Sequence, residues 1–275
     1  MLRIGWFSTG RGPGSLGLLD HVQGLIAAGG LDARIEFVFT NREPGEAEGS
    51  DRFLRRVRDY GLPLVYHSSR RARRALGGPP SAHRYEYDRQ VMSRLDGFGP
   101  DVCVLAGYML IVGPEMCRRY TMLNLHPALP TGPVGAWQEV IWQLIEARSD
   151  TTGAMVHLVT EEVDRGPMVS YVSIPIKGPT FDAGWRELEG RSIARLKEDP
   201  GEDLTLFQLI RQEGYRREPH LLAATLDAIA KGRVRIEHGT VRDVSGARTD
   251  GLCLNDQVEG ALAASSHRGD GPATG

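Results

Sequence analysis

Hydrophobic and polar positions follow two rhythms along this chain. Short apolar runs occur at Leu2 to Phe7, Ile35 to Thr40, Leu64 to Tyr66, Val102 to Leu105 and Met122 to Leu125. Stretches with the spacing of a one-faced helix separate them, at Leu16 to Ala28, Arg52 to Tyr60, Tyr87 to Leu95, Pro114 to Tyr120 and Trp137 to Ala147. Strands alternating with helices predict βαβ units, hence an α/β protein with a mostly parallel central sheet and helices on both faces. Beyond residue 150 the rhythm changes: Met155 to Thr160 and Val169 to Ile174 flank the turn "EEVDRGP" as successive strands, which gives the sheet a mixed C-terminal edge. Helical stretches follow at 181–197, 204–213 and 219–231, then a last strand at Val234 to Glu237. Residues 1–241 are expected to form one domain, and 242–275 a largely disordered extension ending in "SSHRGDGPATG". The segment "SSRRARRALGGPPSAHR" is expected to be a solvated basic loop.

Composition narrows the function classes. With 275 residues, 41% hydrophobic and 25% charged, the chain can bury a sizeable core. A formal net charge of −2 gives no face-wide basic excess, so small molecules rather than nucleic acid are the expected partners. Cys103, Cys117 and Cys253 lack any close pairing, which suggests neither a metal site nor disulfides. No charged leader precedes the first strand, and no apolar stretch approaches the roughly 20 residues that cross a bilayer, so the expectation is a cytoplasmic protein without membrane contact.

The stretch "FSTGRGPGSLGLL" places Gly12, Gly14 and Gly17 in G-x-G-x-x-G spacing between the first strand and the first helix. Such a turn lets backbone approach a phosphate, and the helix start supplies free N–H groups. A dinucleotide site also needs an acidic residue at the end of the second strand, for the ribose hydroxyls. That strand ends in "FTNREPG", with Asn41 and Arg42 at the place, which disfavours NAD and leaves Arg42 as a weak argument for NADP. No Lys followed by Ser or Thr closes a P-loop. The same glycines could also serve a tight turn that binds nothing.

Asn124 and His126 alternate with Leu123 and Leu125 on one strand, so both polar side chains project from the same face, just before Pro127 ends the run. An amide and an imidazole at a strand end sit where ligands gather in such sheets. His157 reads equally well as a core or supporting histidine.

The segments "LAGYM", "NLHPAL" and "GAMVHLVTEEVDRGP" together resemble the formyltransferases that use 10-formyltetrahydrofolate, most nearly their phosphoribosylglycinamide formyltransferase branch. The resemblance runs from residue 1 to about 240 and implies a Rossmann-like formyltransferase fold. It implies catalytic roles for Asn124, a protonated His126 and Asp164 in passing a formyl group from the folate co-substrate to the amine of glycinamide ribonucleotide, a step of purine biosynthesis. No metal is implied. The turn then becomes a seat for the acceptor's 5′-phosphate, with Gly10, Arg11, Gly12, Gly14 and Ser15 as its residues. Arg84 in "HRYEYDRQV", Gly107, and Glu213 in "IRQEG" are implied as further substrate contacts. The folate pocket falls on Met109, Leu110 and Ile111 and on Thr160, Glu161, Glu162 and Val163.

Several departures put the acceptor in question. Leu110 stands where the purine branch usually has an arginine, "HPALPTGPVG" lacks the usual double leucine, Trp137 and Trp142 replace small or polar residues, and 177–205 is a longer connection. A tRNA acceptor would bring a basic C-terminal domain, and a deformylase an N-terminal regulatory one; neither is expected here. The rivals are a formyltransferase for an amino-sugar nucleotide and, from another class, an NADP-dependent reductase. A homodimer is left open.

Overall fold

The computed structural model describes residues 1–77 and 80–269; 78–79 and 270–275 lie outside the described residues, and with them the last part of "SSHRGDGPATG". In chain order the elements are β1 (Leu2–Ser8), α1 (Pro13–Ala27), β2 (Ala33–Thr40), α2 (Glu48–Asp59), β3 (Leu64–Tyr66), α3 (Ser69–Leu76), α4 (Pro80–Arg94), β4 (Val102–Leu105), α5 (Pro114–Arg119) and β5 (Met122–His126). There follow α6 (Trp137–Glu146), β6 (Thr151–Leu158), β7 (Met168–Pro175), α7 (Pro179–Glu187), α8 (Ile193–Glu198), α9 (Thr205–Ala230), β8 (Val234–Glu237), β9 (Thr240–Asp243), β10 (Leu252–Cys253) and α10 (Asn255–Gly269).

Eight strands form one sheet in the order β10-β7-β6-β5-β4-β1-β2-β3. The run from β3 to β5 is parallel, and β6 is antiparallel to both β5 and β7, so the mixed edge lies where the sequence predicts it. Strand alternation divides the core between two faces. Leu2, Ile4 and Trp6 of β1 pack with α1, α2 and the C-terminal half of α9, while Phe7, Phe37 and Phe39 face α3, α4 and α5. The Phe7 ring lies 5.7 Å from Phe37 and 5.3 Å from Phe39, and fully burying each such ring contributes roughly 1.5–3 kcal/mol.

Four expectations need correction. The described part of the basic segment is not a loop: Ser68 caps α3, its Oγ accepting the Arg71 N–H (3.0 Å), and α4 starts at Pro80. The stretches 204–213 and 219–231 are one helix, α9, running through Pro219. A proline inside a helix costs about 3 kcal/mol, and burial at both ends offsets it: Leu206, Phe207 and Ile210 on one side, Leu221, Leu222 and Leu226 on the other. The expected strand Val234 to Glu237, β8, pairs with β9 in a separate two-stranded sheet, and β9 crosses the expected domain boundary at 241.

The extension from 242 is also ordered over much of its length. β10 pairs parallel with β7, Asn255 Nδ2 donates to Ser173 O (2.7 Å), and Leu254 and Val258 are buried. Leu252, Leu254, Val258 and Leu262 carry the strand period and then the helix period, a pattern masked by the polar residues around them.

The long connection 177–205 supplies a third apolar cluster of α7, α8 and the N-terminal half of α9 against α6. Trp137 and Trp142 belong to it, with rings 5.9 and 5.1 Å from Phe207, so their replacement of small residues is accounted for by packing.

Candidate functional site

At the carboxyl edge of the parallel strands, Phe7, Leu105 and Asn124 lie side by side on β1, β4 and β5. The loops that leave these strands are therefore neighbours, and they carry most of the candidate residues.

Asn124 and His126 project from the same face of β5, and β6 places His157 directly opposite Asn124. The chain after β6 folds back over this face. Asp164 turns it at φ 54°, and at Gly166 a methyl group would stand 1.8 Å from Leu158 O, so only glycine lets the loop lie this flat on β6. Asp164 Oδ1 thereby accepts from Asn124 Nδ2 at 3.2 Å and lies 3.5 Å from His157 Nε2, while its Oδ2 is 3.8 Å from His126 Nδ1. The three residues named from the sequence are brought together.

The electrostatics differ from expectation at one point. Burial pushes the His126 pKa below the ordinary 6.5, outweighing the Asp164 charge that pulls it up, so the imidazole is neutral at neutral pH rather than protonated. Its Nε2 faces Pro133 O at 3.4 Å, an atom that only accepts, which leaves Nδ1, on the Asp164 side, as the basic nitrogen. The Asp164 carboxyl is held below its usual range, chiefly by contact with the His157 ring, with help from His126 and Asn124.

His157, left open from the sequence, is part of this set. It is buried, its Nδ1 donates to Leu158 O (2.9 Å), and its Nε2 lies between Asn124 Nδ2 (3.2 Å) and Asp164 Oδ1 (3.5 Å). Only the cross-strand register reveals that partnership, and one strand read alone does not contain it.

Gly10, Arg11, Gly12, Gly14 and Ser15 lie on the turn after β1 and the first turn of α1. Gly10 has φ 61°, and a methyl there would meet Phe53 at 2.7 Å. Gly12 caps the helix without any side-chain hydrogen bond, and as Pro13 has no N–H, the first donors that α1 offers a ligand are the N–H groups of Gly14 and Ser15. Gly107 abuts this turn, a methyl there falling 2.3 Å from Ser15 Oγ. Thr9, unnoticed in the sequence, ties the turn to the β4–α5 loop: its Oγ1 accepts from Met109 N (2.9 Å), and its N–H donates to Gly107 O (3.0 Å).

Met109 and Ile111 on the β4–α5 loop, and Val163 beside Asp164, are large apolar side chains more than half or about half exposed (62%, 54% and 50%). Leu110 instead packs against the core. Thr160 Oγ1 donates to Glu162 O (3.1 Å), and Glu161 pairs with Arg118 (3.0 Å). Arg84 stacks on Tyr85 (5.1 Å to the ring centre), and Tyr85 borders Gly113 at the end of the β4–α5 loop. Glu213 does not stand free: Arg216 and Arg217 hold its carboxylate, and Arg217 also binds Glu259 of α10. Arg211 is a further residue near the turn, between the rings of Trp137 (4.6 Å) and Tyr215 (5.0 Å), and Tyr215 in turn reaches the Gly14 position at 3.5 Å. Among the described residues no group of three His, Cys, Asp or Glu is placed to hold a metal ion, and no helix is long and apolar enough to cross a membrane.

The model of the formyl transferase family matches residues 24–184, more than half of the chain and all of the Asn124, His126 and Asp164 region. The chain belongs to the formyl transferase family. Within the family it is similar to the phosphoribosylglycinamide formyltransferase of Escherichia coli K12, 36% identical over 95 residues, or 34% of this chain and 44% of that one. The enzyme of that name from Schizosaccharomyces pombe is 28% identical over 175 residues, or 61% of this chain and 80% of that one. The chain thus matches less than half the length of the first of these relatives. Among solved structures, glycinamide ribonucleotide transformylase 1 from Symbiobacterium toebii superposes with a TM-score of 0.63 at 25% identity, covering 89% of this chain and 94% of that one. The family fold is therefore the Rossmann-like α/β sheet described above.

Proposed function

We propose that this protein is a formyltransferase that carries a formyl group from 10-formyltetrahydrofolate to the amine of a phosphorylated small-molecule acceptor, with glycinamide ribonucleotide as that acceptor. The observation that carries the proposal is the convergence of Asn124, His126 and Asp164 on one sheet face, beside a glycine turn with free helix N–H groups. The relatives named above supply the acceptor.

In this reading the acceptor nitrogen attacks the formyl carbon and a C–N bond forms. The carbonyl electrons move onto oxygen, and the Asn124 amide, exchanging its hydrogen bond to Asp164 Oδ1 (3.2 Å) for one to substrate, donates that N–H to the oxyanion. A proton leaving the acceptor nitrogen is taken at His126 Nδ1, where the Asp164 carboxylate stabilises the imidazolium. The intermediate collapses as the bond to the folate nitrogen breaks, and that nitrogen takes a proton back from His126. Preorganised donors of this kind contribute about 100 to 1,000-fold, and positioned acid–base groups about 100 to 10,000-fold. The exposed apolar side chains of Met109, Ile111 and Val163 fit a pocket for a flat folate ring, which would cover them on binding. The glycine turn takes the 5′-phosphate.

The test is to incubate the protein with 10-formyltetrahydrofolate and either glycinamide ribonucleotide or amino-sugar nucleotides, and to weigh the products. Formylated glycinamide ribonucleotide is the expected result. Formate release alone, formylation of only the sugar nucleotides, or oxidation of added NADPH would each reject it.

A further inference from the structure

The glycine turn has cationic neighbours, Arg42 and Arg70, to which the proposed formyl transfer gives no role. Ser8 and Thr40 are partners in the β1–β2 pair, so Gly10–Arg11 and Asn41–Arg42 leave the sheet on adjacent strands about 4.8 Å apart. The start of α3 joins them. Ser69 N donates to Asn41 O (3.1 Å), Arg42 donates to Ser69 Oγ (2.9 Å), and Arg70 follows next in the chain, its guanidinium on Glu46 O (3.1 Å). Gly49 of α2 backs onto Arg11, where a methyl would stand 2.3 Å from the Arg11 carbonyl oxygen. Three arginines from three segments therefore stand beside the turn.

Carboxylates nearby are committed elsewhere. Glu43 holds Arg71, Glu46 accepts from the Ser68 hydroxyl and the Glu43 N–H, Asp51 accepts from Gly45 N–H, and Glu48 pairs with Arg52. Among the described residues, Arg11, Arg42 and Arg70 have no carboxylate within ion-pair distance. Arg42 is half-buried, and burial together with the charges of Arg70 and Arg11 pulls its pKa down against the opposing pull of Glu46. Clustering like charges without a counter-ion is costly, and an anion removes the cost.

We propose that Arg11, Arg42 and Arg70 form a second anion subsite contiguous with the glycine turn, so that the two together bind a diphosphate group in competition with a monophosphorylated acceptor. Arginine forks match phosphate oxygens, and the turn's N–H groups take the other phosphate. The proposal rests on the phosphate reading of the turn.

The test is calorimetric titration of the full chain with inorganic phosphate and with pyrophosphate, on wild type, Arg11→Gln, Arg70→Gln and Gly12→Val. Arg11 and Arg70 are exposed, so their variants should fold. Pyrophosphate should bind at least about 10-fold more tightly than phosphate, each arginine variant should weaken pyrophosphate about 3 to 10-fold, and Arg70→Gln, which lies outside the turn, should move phosphate less than about 2-fold. Equal affinity for the two anions, or arginine variants that change nothing, would overturn the subsite. So would tighter binding of adenosine 2′-phosphate than of pyrophosphate. If Gly12→Val leaves phosphate binding intact while the arginine pattern holds, the subsite stands and only the phosphate reading of the turn falls.

Discussion

Asn124 and His157 face each other across the antiparallel β5–β6 pair, with the Asn124 amide nitrogen 3.2 Å from His157 Nε2. Leu158 O anchors His157 Nδ1 (2.9 Å), which fixes the ring so that its Nε2 braces the Asn124 amide. His157→Ala removes one of the two groups that orient this amide, Asp164 Oδ1 being the other, so kcat should fall about 10-fold or more, short of the roughly 100-fold or greater loss from removing a donor outright. The KM values should move little. A His157→Ala enzyme with normal kcat would reduce this residue to packing.

His126→Ala and Asp164→Asn should each lower kcat/KM at least about 100-fold, because one removes the proton acceptor and the other the charge that stabilises it. Asp164→Asn keeps a group able to fill the space, so a loss there reports charge rather than shape. Steady-state assays with thermal denaturation as a folding control decide it, and near-wild-type rates in either variant would remove the mechanism.

The pH dependence follows from the direction of the His126 shift. Its pKa lies below the ordinary 6.5, so the imidazole is neutral and competent above that value, and protonation on acidification removes the base. The rate should be flat above about pH 7, with an acid limb below 6.5. Asp164 pulls this pKa up, so the residual activity of Asp164→Asn should show its acid limb at lower pH than wild type. A limb displaced upward would contradict the assignment.

Parts of this site were legible in the sequence for a physical reason. Asn124 and His126 are two residues apart on a strand, and period two alone puts them on one face. The partnership of His157 with Asn124, the engagement of Glu213 by arginines of its own helix, and the tie from Thr9 to Met109 depend on register and tertiary contact, which no local pattern carries. The protonation state of His126 escaped for a related reason: the sequence shows a carboxylate partner, while the desolvation that outweighs it exists only in the folded chain. In the fold, the parallel half of the sheet followed from alternating periods, whereas α9 read as two stretches because the packing that joins its halves across Pro219 is distant in sequence.

Gly12→Val probes the turn directly. Gly12 has φ −151°, which any residue adopts, and a methyl there meets nothing within 4 Å, so the substitution should leave folding intact. The added bulk occupies space beside the free N–H groups of α1. KM for the phosphorylated acceptor should rise about 10-fold or more while KM for the folate changes less than about 2-fold, as expected when one charge-assisted phosphate contact is lost. Equal increases for both substrates would count against a phosphate seat at the turn.

Acid stability should be set in part by a histidine pair far from the chemistry. His21 of α1 and His220 of α9 pack edge to face with ring centres 4.4 Å apart. Burial, and then the charge of His220, pushes the His21 pKa down to about 4, and burial pushes that of His220 down as well. Above pH 6.5 both rings are neutral whether folded or unfolded, and the pair costs nothing. As pH falls from 6.5 towards 4 the unfolded chain takes up protons that the folded chain refuses, so stability declines across that window. Discounted for the partial exposure of His21, the loss amounts to about 1–2 kcal/mol. His21→Phe keeps a ring in the α1–α9 contact and removes the titration. Its stability by urea denaturation should therefore fall less than that of wild type between pH 7 and pH 4.5, and an unchanged pH dependence would exclude the pair as the cause.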